Sequence, residues 1–170
     1  WINGMSAYSL WYLIIQHDWY MRFGHKEFLE KHRDYILGLI DQIDKCIDEN
    51  GNDAMGAHFL DWPSSPNREG VDAGYHALLV WAMQDAAKMS TLLGDEAHAQ
   101  KCRDVEARLR KKTVNPNGLK QAAALMAIAG MMKPDQACRD YVAVGGPKGF
   151  STFYGYYMLE ALAMDGRYEE

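Results

Sequence analysis

Asp61 followed directly by Trp62 stands at the centre of a polar, turn-rich stretch, NGNDAMGAHFLDWPSSPNREG at residues 50–70. Side chains of these two kinds can hold a polar ring with apolar faces, which is what a sugar is. The indole stacks on the C–H face of the ring, and the carboxylate accepts hydroxyl hydrogen bonds or takes part in acid and base work. Loops this long inside a compact domain are usually functional or disordered. Disorder is disfavoured by Met55, His58, Phe59, Leu60 and Trp62, residues that a solvated linker avoids. The plainer alternative is that Trp62 pins the loop onto its helices while Asp61 starts a turn ahead of Pro63, Ser64 and Ser65.

Other aromatics have a placement that suits a cavity mouth. Tyr8 and Trp11 fall near the loop-side end of the first helical pattern, with Trp1 just before it, and Tyr75 and His76 have the same position in the second. Core packing is the competing explanation for each, because aromatic stripes at helical spacing usually pack. His17 and Asp18 fall further along the first pattern and read as satisfied polar groups. His58 precedes Asp61 by three residues, but no second His or Cys stands at metal-ligand spacing, so the sequence predicts neither a metal site nor a cofactor. Ser64 and Ser65 lack the strand and elbow glycine that a nucleophilic serine requires, and the glycines nowhere form a phosphate loop. Cys46, Cys102 and Cys138 are far apart and odd in number, which argues for three small buried hydrophobes rather than a disulfide framework.

The chain as a whole excludes several partners. Its 170 residues, 48% hydrophobic and 24% charged, suit one globular domain with a substantial core. A formal net charge of -5, with Lys and Arg scattered rather than clustered, leaves no electrostatic footprint for nucleic acid. No apolar run approaches the roughly 20 residues of a membrane span. The chain opens at Trp1 without a Met or a leader, so a fragment of a longer domain is expected.

The elements that must carry these residues are helical. From Phe28 to Ile47 apolar residues return every three or four positions, with charged residues on the opposite face, and residues 95–112 repeat that pattern more weakly. Residues 6–22, 73–93, 120–132 and 152–164 are apolar nearly all round, which predicts helices buried on most sides. Gly24, Gly94 and Gly166 each fall where a helix end needs a left-handed residue, and Pro134 marks a stop and new start. The predicted unit is therefore a hairpin of a buried helix, a tight turn and an amphipathic helix, with about four present. Longer returns at residues 50–70, 113–118 and 145–150 would then lie together at the opposite end. Buried helices inside, amphipathic ones outside and elaborated loops on one face describe an all-α arc of an α/α toroid.

The phrases WYMRFGHKEFLEKHRDYILGLID, HFLDWPSS ending in REGVDAGYHALL, LLGDEAHAQ, QAAALMAIAG and STFYGYYMLEALAMDGRYEE follow one another across nearly the whole chain. In that order they resemble the six-hairpin glycosidases, most closely the catalytic barrel of bacterial α-L-rhamnosidases. The resemblance implies a barrel of twelve helices and hydrolysis of terminal α-linked L-rhamnose with inversion. Two carboxylic acids would work across a water, one as general acid and one as general base. The Arg- and Glu-rich acid motif and the Trp-Glu phrase near the base are both missing from these 170 residues, so the catalytic pair is expected outside them. Carried over by the resemblance are Trp62 as a wall of the sugar pocket, Asp61 as its polar neighbour, and an aromatic on the first inner helix, Tyr8 or Trp11. There the sequence reads Ala7, Tyr8, Ser9, Leu10 in place of the family's Trp-Gly-Asp-Ala.

The expectation is thus a partial six-hairpin domain over residues 1–170 with a carbohydrate partner. Its parent enzyme would be periplasmic or extracellular, the isolated chain inactive, and its exposed helix flanks prone to self-association. The alternatives are another toroidal glycosidase acting on glucosides or uronides, and a helical-repeat scaffold whose long loop binds a protein.

Overall fold

The computed structural model of the chain describes residues 4–169. Among them the regular structure is helical, with one isolated antiparallel bridge between Ile47 and Asp53 and no strand. The chain divides into two compact units, one of residues through Ala57 with Leu79–Thr113, the other of His58–Leu78 with residues from Val114 on.

The first unit holds α1 (Ala7–Phe23), α2 (Lys26–Lys31), α3 (Arg33–Cys46), the later part of α4 (Arg68–Leu92) and α5 (Glu96–Leu109). Leu10, Leu13 and Ile14 of α1, Ile36, Ile40 and Ile43 of α3, and Ala99, Cys102 and Val105 of α5 are buried, each set recurring at helical spacing. Lys101 with Asp41 and Arg108 with Asp44 tie α5 to α3, and Arg33 donates to Asp95 at 2.7 Å. Gly24 and Gly94 adopt the left-handed φ (68° and 74°) that the predicted tight turns demand, as Gly166 does in the second unit at 73°.

Two predicted helices are interrupted. The amphipathic pattern from Phe28 to Ile47 breaks at His32, whose Nδ1 lies 2.7 Å from the Phe28 carbonyl. The imidazole thus takes the acceptor that its own amide would use, and that amide turns to Leu29 O at 3.0 Å. The helix predicted over residues 120–132 ends at Ile128, because Gly130 turns left-handed at φ 65° and Met131 N–H closes back on Met126 O at 2.8 Å.

The second unit contains the start of α4, then α6 (Lys120–Ile128), α7 (Pro134–Ala137) running on into a π-turn at Cys138–Val142, and α8 (Tyr154–Met164). Pro134 occupies the first turn of α7, where its missing N–H costs nothing. Six consecutive apolar residues of α6, Ala122 to Ala127, are buried, and Cys138 Sγ reaches the Ala161 carbonyl at 3.3 Å.

α1 and α8 were expected to be covered on most sides, yet each leaves an apolar stripe in solvent. On α1 it is Tyr8, Ile15 and Trp19, and on α8 Tyr156 and Leu159, with Phe153 just ahead of the helix. Cys102 and Cys138 are buried as predicted, and burial pushes the Cys102 thiol up to about 12. Cys46 is only half-buried, since it closes α3 at its exposed end.

Candidate functional site

In the second unit the turn-rich loop is held by its own polar residues. Asp61 Oδ1 accepts the Ser64 N–H at 2.9 Å, and the Asp61 carbonyl accepts the Ser64 and Ser65 hydroxyls at 3.0 and 2.9 Å. The turn-starting role offered as the plainer explanation for Asp61 is therefore real. The carboxylate has a second oxygen, however, and it accepts from Gln121 Nε2 at 3.2 Å. Gln121 is buried in the first turn of α6, so the helix fixes the orientation of a loop side chain.

Trp62 does not pin this loop. It is 79% exposed, and its ring lies edge-on to the neighbouring Phe59 ring at a centroid separation of 5.2 Å. The anchor is Leu60, buried against α4 at Gly74, where a Cβ would stand 2.6 Å from Leu60 Cδ1 and 3.1 Å from the Ala122 Cα. The absent side chain at Gly74 thus lets loop, α4 and α6 meet at one point.

Close by in sequence, His58 Nδ1 lies 2.8 Å from Asp72 Oδ1, and the imidazole stacks on the buried Tyr75 ring at 4.1 Å with a 9° interplanar angle. The carboxylate and the ring fix the plane of the histidine between them. Tyr75 and His76 were candidates for an open cavity mouth; both are buried.

The three long loops meet within this unit as far as they belong to it. Asn67 Oδ1 caps the Gly70 N–H at 3.1 Å, while Asn67 and Asn117 exchange two hydrogen bonds of 2.9 Å, clasping the 113–118 loop to the start of α4. Lys120 Nζ donates to the Gly146 carbonyl at 2.6 Å and lies 5.3 Å from the Phe150 ring centre, and Gln121 Nε2 reaches Gly149 O at 3.5 Å. Burial holds the Lys120 ammonium below the usual lysine range. Under this last loop lies a mainly apolar cavity of about 410 Å³ bounded by Val142, Pro147 and Leu159, whose side chains offer a sugar no hydrogen-bonding group.

Of the four residues singled out from sequence, Asp61 and Trp62 lie in the second unit and Tyr8 and Trp11 in the first. Tyr8 is half exposed. Trp11 is a core residue, 6% exposed, with its ring edge-on to Trp81 at 5.7 Å. Trp1 lies outside the described residues. Gln121 and the pairing of His58 with Asp72 had no signature in the sequence: the partners are separated by 60 and 14 positions, spacings that match no local motif.

In chemical terms the second unit presents an exposed aromatic platform with a fixed carboxylate next to it in the chain, which is equipment for a neutral polyol. Among the described residues no three His, Cys, Asp or Glu side chains converge in this unit to hold a metal. No protein-family model, curated protein or solved structure matches the chain.

Proposed function

We propose that this chain forms part of the sugar pocket of an inverting glycoside hydrolase of the α-L-rhamnosidase type, built as an arc of an (α/α)6 toroid. The observation that carries the proposal is Trp62: a loop tethered by Leu60, Asp61, Ser64 and Gln121 holds a large indole 79% exposed to water. Exposed, fixed aromatics beside a carboxylate suit a sugar ring, and L-rhamnose, a 6-deoxy sugar, adds an apolar methyl edge to its apolar face. The resemblance of the loop phrase and the helix phrases to rhamnosidase barrels supplies the substrate. Support for the toroid comes from the hairpins closed by Gly24, Gly94 and Gly166, and from the apolar stripes of α1 and α8, which neighbouring hairpins would cover.

The role assigned to Trp62 and Asp61 is binding and orientation. The general acid and base are assigned to no residue of this chain. The test is a calorimetric titration of the 170-residue chain with L-rhamnose, D-glucose and D-glucuronate, alongside an aryl α-L-rhamnoside hydrolysis assay. Weak rhamnose binding, lost in Trp62→Ala with the thermal transition unchanged, is expected, together with no turnover. Equal or stronger binding of the glucose or uronate ligand would move the protein to another glycosidase class. Binding that survives Trp62→Ala would remove the platform from the pocket.

A further inference from the structure

In the first unit α1 presents His17 and Asp18 toward Asp85 of α4. His17 Nδ1 lies 3.3 Å from Asp85 Oδ1 and 3.9 Å from Asp18 Oδ1, and one ligand atom from each of the three falls within 4.8 Å of the others. The Asp85 side chain is 2% exposed and its Oδ2 is buried without a hydrogen-bond partner; His17, nine-tenths buried, makes no hydrogen bond through Nδ1 either. A carboxylate oxygen withdrawn from water and given no donor is a costly arrangement that a bound cation relieves.

We propose that His17, Asp18 and Asp85 bind one divalent cation of the zinc type, at a site independent of the sugar-holding loop. The spacing suits the ion. Bonds of about 2.0–2.2 Å in a tetrahedron put neighbouring ligand atoms about 3.4 Å apart, so His17 and Asp85 already stand at that separation, and Asp18, on the exposed side and 3.9 Å from His17, draws in toward both. One imidazole and two carboxylates leave the fourth position to water. That water has a path, because an open groove of about 640 Å³ is lined by His17, Tyr20 and Lys88.

Lys88 is the competitor. Its Nζ donates to Asp85 Oδ1 at 2.9 Å from a side chain 59% exposed, and Arg22 also acts on Asp18. The ammonium holds the same Oδ1 that stands 3.3 Å from His17, so the ion enters by displacing it, and the long, exposed stem can swing into the groove. The other histidine flanked by two carboxylates, His98, differs here, since its partners Asp41 and Asp95 are already paired with Lys101 and Arg33.

The experiment titrates the metal-free 170-residue chain with Co²⁺, reading its visible ligand-field bands, and then displaces it with Zn²⁺. One equivalent is expected. Losing even an outer-shell partner of a metal costs about ten- to a hundredfold in affinity, so His17→Gln and Asp18→Asn should each lose at least about tenfold. Asp18 is 56% exposed, so its substitution leaves the fold intact, which circular dichroism confirms before titration. Lys88→Met should bind several-fold more tightly, as the competing ammonium is gone. No cobalt spectrum in the folded protein, affinity unchanged in Asp18→Asn and His17→Gln, or affinity unchanged or lower in Lys88→Met would each overturn the proposal, leaving a histidine, carboxylate and lysine network with no metal.

Discussion

Gln121 donates from Nε2 to Asp61 Oδ2 at 3.2 Å, so that a buried side chain on α6 sets the direction of a carboxylate sixty positions earlier. Without that bond Asp61 would still start its turn through Oδ1, but its second oxygen would lose its protein donor. Replacing Gln121 by Leu removes the donor without opening a cavity. Loss of one partner of a charged hydrogen bond costs about 1–3 kcal/mol, which should appear as a lower urea midpoint at unchanged slope. If Asp61 touches the sugar, rhamnose affinity should fall as well, by about tenfold for each 1.4 kcal/mol of lost orientation. Reduced stability with unchanged affinity would confine Asp61 to its turn.

Gly74 offers a separate test of how the loop is seated. In a helix interior Ala is favoured over Gly by about 1 kcal/mol, so a change at an open position would stabilise the protein. Here the new methyl would meet Leu60 Cδ1 at 2.6 Å and the Ala122 Cα at 3.1 Å. Leu60 can rotate, but the α6 backbone cannot, and overpacking of this kind costs about 1–3 kcal/mol. Gly74→Ala is therefore expected to be net destabilising by about 1 kcal/mol and to displace Leu60, which thermal denaturation and a Trp62 emission shift would record. A stabilised variant with unchanged emission would refute that seating.

How much of this could be read in the sequence depended on how local the signal was. The turn glycines at 24, 94 and 166 were legible, because a left-handed residue after an apolar run is a short-range requirement. The break at His32 was not, since apolar spacing continues through it and only the imidazole bond to Phe28 O interrupts the ladder. Asp61 and Trp62 were found as a pair, but the sequence could not tell a pinning tryptophan from an exposed one; that depended on Leu60 finding the gap at Gly74. Asp85 was invisible as a partner of His17, because helix packing, not spacing, brings α4 to α1.

The acid limb of stability follows from the pairs between α3 and α5. His98, through side chain and backbone, and then Arg33 hold the Asp95 carboxyl well below the usual carboxylate range, and Lys101 holds Asp41 down in the same way. Both groups have folded values below their unfolded ones of about 3.9, so their contribution is fully present above about pH 4. It is lost as pH falls through the depressed folded values, where the folded state must take up protons. Urea midpoints should accordingly drop steeply below about pH 4. Asp95→Asn should be less stable at neutral pH and show a shallower acid limb, and an unchanged limb would mean that other carboxylates carry it.

The apolar stripes of α1 and α8 predict how the protein behaves in solution. Tyr8, Ile15 and Trp19 repeat at intervals of seven and four, which places them along one face of α1, and Tyr156 and Leu159 do the same on α8 after Phe153. Contiguous exposed apolar faces of this kind mark association surfaces. Sedimentation velocity should therefore show the weight-average coefficient rising with concentration. Ile15→Lys combined with Trp19→Glu should reduce that rise, and Leu159→Lys should do so independently. Because Ile15 and Leu159 are exposed, each single change should leave folding stability within about 0.5 kcal/mol. A coefficient flat across the concentration range for the unmodified chain would mean that these faces do not drive self-association.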